Sequence, residues 1–173
     1  MKKTILLLIL LICFTNCKSS KQVVTKKNRT TKTTKKASST TVTVSSQEIE
    51  NIIDYAKTFE GTRYKYGGTT KRGMDCSGLV ITAFNKENIA LPRTTASLSK
   101  RGDWIDIKSV KAGDLLFFAT SKNSRKVNHV GIVIDSRPGH VEFIHSTTSQ
   151  GVITSKLSER YWYQAYVQAR RMM

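Results

Sequence analysis

The apolar pattern of the chain changes near residue 104, and this change limits the fold. Before it, apolar residues recur at helical spacing, as in Ile49–Phe59. After it, short segments rich in β-branched and aromatic residues are separated by turns; they read WIDI, DLLFFAT, HVGIVID, HVEFIHS and GVITSKL. Helices followed by a run of strands indicate an α+β domain, in which helices pack on an antiparallel sheet. The C-terminal YWYQAYVQARRM fits either a strand or a helix.

The helical part contains three predicted helices. The first opens with a capping box, Ser45 followed by Glu48, and Gly61 ends it. A glycine-containing loop precedes the second helix, which starts at Cys76 and runs to about Asn88. Its inward residues are expected to be Leu79, Val80, Ala83 and Phe84. A third, short helix is expected after Pro92, through Ser99.

Residues 1–17 have the pattern of a lipoprotein signal peptide. A basic start precedes an unbroken apolar run of ten residues, Ile5 to Phe14, which is too short for a membrane span of ~20 residues. Cys17 then resembles the lipidated cysteine of a bacterial lipobox, although Phe14 and Asn16 depart from the usual pattern. Two alternatives stay open: Cys13 carries the lipid, or Cys17 leaves with an ordinary signal.

This leader predicts a location in the bacterial cell envelope, with attachment to a membrane through an N-terminal lipid. Lys18, rather than aspartate, follows the lipidation site, so the periplasmic face of the outer membrane is the expected location. Residues 18–46 are predicted to be a disordered linker, since they carry eight cations and no acid.

The basic charge lies mostly outside the predicted domain of residues 47–173. Lys2 and Lys3 with the eight linker cations account for ten of the seventeen net positive charges, which leaves seven for the domain. A face that binds single-stranded nucleic acid requires aromatic residues among its cations. No aromatic residue is interleaved with the linker cations. Nucleic acid is therefore not an expected partner.

The domain contains a single cysteine, Cys76. Exported proteins usually pair their cysteines, so a lone thiol is either reactive or an inert buried residue. Cys76 is expected on the first turn of its helix, where the positive end of the helix dipole favours a thiolate. Asp75 is placed to cap the same helix, although its negative charge opposes thiolate formation.

Two of the three histidines fall on neighbouring predicted strands. In a hairpin that turns about Arg137, His129 and His145 are directly opposed on one face, close enough for one imidazole to orient the other. His140 falls beside the turn and is expected to be a solvated loop residue. Two other interpretations remain: a pair of structural sheet histidines, or a zinc site with Cys76, for which the usual ligand spacing is missing.

Several motifs, in this order, resemble the NlpC family of cell-wall cysteine peptidases. They are GTRYKYGG, GMDCSGLV, LPRTT, KAGDLLFF, NHVGIVID, FIHSTTSQGV and YWYQAYVQARR. The resemblance implies a papain-like α+β fold with Cys76 as nucleophile, His129 as general base and His145 as the residue that orients His129. It also implies hydrolysis of peptidoglycan stem peptides between D-glutamate and the adjacent diamino acid, with no metal or organic cofactor.

The resemblance also implies a substrate-binding role for Tyr64, Asp75 and Ser77, of which Asp75 and Ser77 would hold the free amino terminus of the stem. Purely structural roles are the alternatives to substrate binding: packing in the core for Tyr64 and helix capping for Asp75. Arg93 is either a partner for a substrate carboxylate or an exposed arginine. Arg63 and Ala96 depart from common residues of the family and leave the subsites open.

Two rival functions fit the same motifs. One is a non-catalytic lipoprotein that binds the cell wall and serves as an anchor, against which the complete Cys–His–His set argues. The other is a related amidase or acyltransferase that acts on a different amide or on lipid.

Overall fold

The computed structural model describes residues 45–173. The predicted signal peptide, Cys17 and nearly all of the predicted linker lie outside these residues. Ser45 and Ser46, the last two residues of the predicted linker, belong to the cap and first turn of a helix. Within residues 45–173, no helix has both the length and the apolar character that crossing a membrane requires.

Three helices form where the pattern predicts them, and a fourth lies in the C-terminal segment that fitted either a helix or a strand. They are α1 (Ser46–Lys57), α2 (Cys76–Asn85), α3 (Thr95–Leu98) and α4 (Arg160–Ala165). The capping box is confirmed, because Ser45 accepts from the Glu48 amide while the Glu48 carboxylate accepts from the Ser45 amide. The four predicted inward residues of α2 are fully buried. This helix ends three residues before Asn88, whose φ of 59° turns the chain.

The strands make two antiparallel sheets. Their bounds are β1 (Thr69–Thr70), β2 (Gly73–Met74), β3 (Asp103–Ile105), β4 (Leu115–Phe118), β5 (His129–Arg137), β6 (His140–Thr147), β7 (Gly151–Lys156) and β8 (Tyr166–Arg171). The first two strands pair with each other, and the other six form a sheet in the order β3-β8-β4-β5-β6-β7. The predicted α+β class is confirmed.

The C-terminal segment that fitted either a helix or a strand contains one of each. Its first half is α4, and its second half is β8, which lies between β3 and β4 inside the sheet. Tyr166 changes the backbone from helical to extended, with φ −59° and ψ 137°. The ambiguous pattern therefore reflects two short elements that join without a loop.

The six-stranded sheet is covered on both faces. On one face, α1 and α2 pack over a core that includes Leu115, Phe117 and Ile132. On the other face, Trp162 of α4 packs over a second core that includes Phe118 and Phe143. Adjacent residues of a strand point to opposite faces, so the apolar run of β4 supplies both cores.

The register of the β5–β6 hairpin differs from the prediction. The chain turns at Pro138 and Gly139, so Arg137 pairs with His140 rather than lying at the centre of the turn. Beyond a bulge the pairing continues to Ile132 opposite Ile144. Continued by one residue, it places Gly131 opposite His145, so His129 is two positions further along the strand. The prediction that the histidines are directly opposed is wrong.

The bulge nevertheless places both histidines on one face. Near the turn Asp135 pairs with Glu142, whereas beyond Ile134 the partner of Val133 is Phe143. Side chains alternate between the two faces of a strand. The extra residue Ile134 therefore changes which residues of β5 and β6 share a face of the sheet beyond the bulge. Without it, His145 would point to the face opposite His129. The histidines are diagonal neighbours, which leaves room for their rings to meet end to end.

We expect Gly131→Ala to destabilise the fold by about 1–3 kcal/mol and to displace the histidine pair. An ideal Cβ on Gly131 would lie 2.6 Å from the Phe143 ring and 3.1 Å from the Cβ of His145. Urea unfolding and the NMR signals of the two imidazole rings measure these effects.

Gly139→Ala is the matched control. A Cβ there meets nothing within 4 Å, and the substitution carries only the backbone penalty of a positive φ, about 1 kcal/mol. Unchanged imidazole signals in Gly131→Ala, or equal changes in both variants, would contradict the role assigned to Gly131.

Candidate active site

Cys76 is the first residue of α2, as the sequence predicts. Asp75 is the N-cap, and its carboxylate accepts from the Gly78 amide at 2.6 Å. The thiol is half-buried; its sulfur lies 3.6 Å from the Thr95 hydroxyl oxygen and close enough to the backbone N–H of Val130 for that group to lower the pKa of the thiol. Since Val130 directly follows His129, the sulfur contacts the start of β5, where the first histidine is located.

Burial dominates the ionisation of the thiol. It raises the pKa of Cys76 above the ordinary value of 9.0, and the negative charge of Asp75 adds to this, whereas hydrogen bonds from Thr95 and Val130 act in the opposite direction. The helix dipole had favoured a thiolate in the sequence-based prediction. In the folded protein the desolvation of the sulfur outweighs that contribution, so the resting group at neutral pH is the thiol.

The two histidines are joined directly. Nε2 of His129 lies 2.9 Å from Nδ1 of His145, and Nε2 of His145 lies 3.0 Å from the Ser155 hydroxyl oxygen. Trp162 stacks on the His129 ring at 5.4 Å between centroids and meets the His145 ring edge-on at 4.6 Å. The pair is thus enclosed in the aromatic core on the α4 face of the sheet.

Enclosure keeps both imidazoles neutral. Burial lowers the pKa of His129 to about 4. Burial also lowers the pKa of His145 to about 3, and the neighbouring His129 adds to the effect. At neutral pH each ring therefore has one N–H and one free lone pair, which is the state in which an imidazole can accept a proton.

The zinc alternative does not fit this arrangement. Two nitrogens bound to one tetrahedral zinc ion are about 3.3 Å apart, with both lone pairs directed at the metal. The 2.9 Å contact between His129 and His145 instead directs one nitrogen at the other, as a hydrogen bond requires. Both nitrogens are thereby engaged with each other.

His140 lies in the β5–β6 hairpin, as predicted, but it is half-buried rather than fully solvated. Its Nε2 is 3.2 Å from Glu142 and 3.7 Å from Asp135. These three side chains are spaced as metal ligands could be. Arg137 and Lys156 also contact the two carboxylates, which makes the group a surface network of charges.

The sulfur and the first imidazole pack against different cores of the domain. Cys76 packs beside the core that α1 and α2 cover, whereas the His129 ring lies in the core under α4. Among the hydrogen bonds of residues 45–173, none joins the Cys76 sulfur to His129. The fold brings the thiol to the backbone next to His129 and brings His129 to His145. The assigned catalytic roles stay predictions.

A cleft of about 340 Å³ opens at the thiol. It is lined by Tyr64, Tyr66, Gly67, Asp75, Cys76, Ser77, Arg93, Thr94, Thr95 and Asn128. Tyr64 is placed there by a backbone bridge to Met74. Burial raises the pKa of the Tyr64 hydroxyl, with a further contribution from the nearby Cys76. All three residues that the family resemblance assigns to substrate binding therefore line one cleft.

Arg93 differs from both interpretations considered for it. Its guanidinium donates to the Asp75 carboxylate and to the Ser77 hydroxyl, each at 2.8 Å. Burial by itself raises the pKa of Asp75, but hydrogen bonds from Arg93, Gly78 and Gly67 together hold it below its ordinary value. Arg93 thus neutralises the charge of the capping carboxylate beside the thiol.

Three residues of the site were not predicted: Thr95 at the sulfur, Ser155 at His145 and Trp162 over both imidazoles. Trp162 belongs to a motif that the resemblance contained, but no local pattern connects it with the histidines. Ser155 reaches His145 only through the β6–β7 register, in which His145 pairs with Ile153 and Phe143 with Ser155. Neither contact can be identified without the strand order.

We expect the free energy of unfolding to fall as the pH is lowered from about 6.5 to 3, by up to roughly 8 kcal/mol. Both imidazole pKa values are lower in the folded protein than the ordinary 6.5. The unfolded chain therefore binds more protons in this window, so this stability is present above pH 6.5 and is lost on acidification. Urea denaturation at several pH values measures it.

His145→Asn should flatten the pH dependence, because one buried titrating group is removed, whereas His140→Gln should leave the contribution of the buried pair in place. An equal loss of stability on acidification in His145→Asn and in the wild type would contradict the assignment to the buried pair.

Comparison with known proteins places this geometry in a family. The profile described as NlpC/P60 family matches residues 61–171. The chain is 47% identical over 114 residues to a Haemophilus influenzae protein named probable endopeptidase NlpC homolog, a match covering 65% of this chain and 57% of that protein. It is 38% identical over 123 residues to the Escherichia coli protein named murein DD-endopeptidase MepS/murein LD-carboxypeptidase, covering 70% and 62%.

The chain thus spans about three fifths of the length of these two relatives. Among solved structures, it matches a Staphylococcus aureus protein described as similar to lipoprotein, NLP/P60 family. The TM-score is 0.65 at 31% identity, and the match covers 75% of this chain and 43% of that one. With a family profile matching well over half of its residues and a fold that agrees, this chain belongs to the NlpC/P60 family.

Proposed function

We propose that this protein is a cysteine endopeptidase that hydrolyses peptidoglycan stem peptides. The observation that carries the proposal is the placement of the Cys76 thiol against the backbone next to His129, whose ring is bonded to His145. Family membership supports the same reaction class, as do the endopeptidase names of the two relatives.

The first step is proton transfer from the thiol to His129. Nε2 of His129 is engaged with His145, so Nδ1 is the nitrogen that accepts. Because the resting pair is neutral, the proton leaves the sulfur as it attacks the carbonyl carbon. In the resting structure the His129 ring packs on Trp162 and has no hydrogen bond to the sulfur, so the proposed transfer requires the ring and the thiol to come together when substrate binds.

The remaining steps follow from the start of α2. The Cys76 N–H is among the first amides of a helix, which have no intrahelical acceptor, and it is available to stabilise the oxyanion. The amide of Gly78 is already taken by Asp75. The tetrahedral intermediate collapses to a thioester as His129 returns its proton to the leaving amine. Water, deprotonated by His129, then releases the acid and restores the thiol.

The substrate bond we propose is the one between D-glutamate and the adjacent diamino acid. The cleft beside Cys76 holds Tyr64, Asp75 and Ser77, and the family resemblance assigns the free amino terminus of the stem to Asp75 and Ser77. Asp75 is anionic and buried, with Arg93 as its partner, so an incoming ammonium group shares the carboxylate with the guanidinium. The name of the Escherichia coli relative favours a second candidate, the D,D bond of a cross-link.

Digestion of defined stem peptides tests the reaction and the bond. The wild type should release new amino termini on the diamino acid, whereas Cys76→Ala should lower the rate by at least roughly 10³-fold, since the nucleophile is lost. Mass spectrometry of the products distinguishes cleavage after D-glutamate from cleavage of a D,D cross-link. His140→Gln serves as a histidine control and should keep full activity.

Product formation by Cys76→Ala at the wild-type rate would refute the mechanism. Binding of wall fragments with no turnover by the wild type would instead support the anchoring lipoprotein. Hydrolysis of a different amide, or acyl transfer, with stem peptides untouched, would support the amidase or acyltransferase.

We further propose that the chain is a lipoprotein, anchored through Cys17 on the periplasmic face of the outer membrane. The support is the leader pattern of the sequence together with Lys18 after the cysteine. One or two buried acyl chains add about 0.8 kcal/mol of membrane affinity for each CH₂ group.

Metabolic labelling with an alkyne palmitate, followed by membrane fractionation, tests the anchor. Cys17→Ser should lose the label and the membrane association, whereas Cys13→Ser should keep both. Persistence of the label in Cys17→Ser, or its loss in Cys13→Ser alone, would contradict the assignment.

A further inference from the structure

The hydrogen bond between the histidines continues across a third strand. His129 on β5, His145 on β6 and Ser155 on β7 are each displaced by two positions from direct pairing, and their polar atoms form a continuous chain. All three side chains are buried, and Trp162 packs over both rings. In residues 45–173, the hydroxyl of Ser155 is the single partner of Nε2 of His145.

Counting donors and acceptors determines where the protons lie once His129 is protonated. A protonated imidazole has N–H groups at both nitrogens, so Nε2 of His129 must then donate to His145. His145 must accept through Nδ1, and its own single proton must be on Nε2. That N–H is buried, and the Ser155 oxygen, at 3.0 Å, is the acceptor within reach.

The opposite arrangement blocks the base. If His145 carried its proton on Nδ1, it would donate to Nε2 of His129, whose proton would then be on Nδ1. That nitrogen faces away from His145 and is the one that must accept the proton of Cys76. Neutral His129 in this tautomer has no lone pair left for the thiol.

We propose that Ser155 is a positioning residue that holds His145 in the Nε2–H tautomer and so keeps Nδ1 of His129 free to accept the proton of Cys76. It acts through His145 and does not touch the substrate. This assignment rests on the proposed peptidase function for its catalytic consequence, but the tautomer itself can be observed without any substrate. Because Ser155 is buried, water does not readily replace its hydroxyl as the acceptor for the Nε2 N–H of His145 when the serine is substituted.

The test combines NMR of the imidazole nitrogens with kinetics. In the wild type, two-bond ¹H–¹⁵N correlations should show His145 and His129 both protonated at Nε2. In Ser155→Ala, His145 should move toward the Nδ1–H tautomer, and kcat should fall by roughly 10- to 100-fold with KM within about twofold. Ser155→Thr, which keeps a hydroxyl, should restore the tautomer and most of kcat.

Ser136→Ala is the matched control, because it also removes the hydroxyl of a serine on the same sheet, here one that donates to the Val110 carbonyl at 2.7 Å. It should leave both the tautomers and kcat unchanged. An Nδ1–H His145 in the wild type would overturn the proposal, as would an unchanged tautomer in Ser155→Ala. If the wild type cleaves no stem peptide while the tautomers are as stated, the proposed function fails and the positioning role of Ser155 stands.

Discussion

The site depends on one hydrogen bond, the 2.9 Å contact between Nε2 of His129 and Nδ1 of His145. In water such a bond would contribute little, because each nitrogen could bond to solvent instead. Here the aromatic rings of Phe118, Phe143 and Trp162 exclude water, so each nitrogen depends on its protein partner. The same enclosure keeps both imidazoles neutral, which a proton acceptor requires.

The geometry of that bond is produced by two features of the hairpin that contains it. The bulge at Ile134 changes the facing of the strand, so that His145 shares a face with His129. Gly131, opposite His145, leaves the space that the rings occupy, since a Cβ there would approach the Phe143 ring to 2.6 Å. A regular hairpin, or any side chain at position 131, would separate the pair. Both features belong to the backbone rather than to the chemistry of the site.

The position of the thiol, unlike that of the histidines, is determined by residues close to it in the sequence. Cys76 is placed by local rules, on the first turn of a helix capped by its neighbour Asp75. A carboxylate beside a nucleophilic sulfur is unfavourable for the thiolate, and Arg93 compensates by pairing with it across the cleft. The resting site is therefore almost free of net charge: a thiol, two neutral imidazoles and an internal ion pair. Charge develops only as the proton moves from the thiol to the imidazole. In this buried region fixed protein dipoles, rather than water, stabilise that charge.

Much of the fold and the identity of the central residues could be predicted from the sequence. The capping box of α1, the N-cap of α2, its buried stripe and five of the strands depend on residues within a few positions of each other, and periodicity reports such local relations well. The lone cysteine at a helix start and the two histidines on predicted strands could be identified as candidate site residues because their elements are defined by such local patterns.

What the sequence alone determined was therefore which residues stand on which elements. The tertiary structure alone decided how they meet: the two-residue offset of the histidines, the pairing of Arg93 with Asp75, the place of β8 inside the sheet, and the contact of Ser155 with His145. It also reversed the expected ionisation of Cys76, because desolvation depends on every chain segment packed around the sulfur. Register, burial and pKa are sums over residues distant in sequence, and no local pattern contains them.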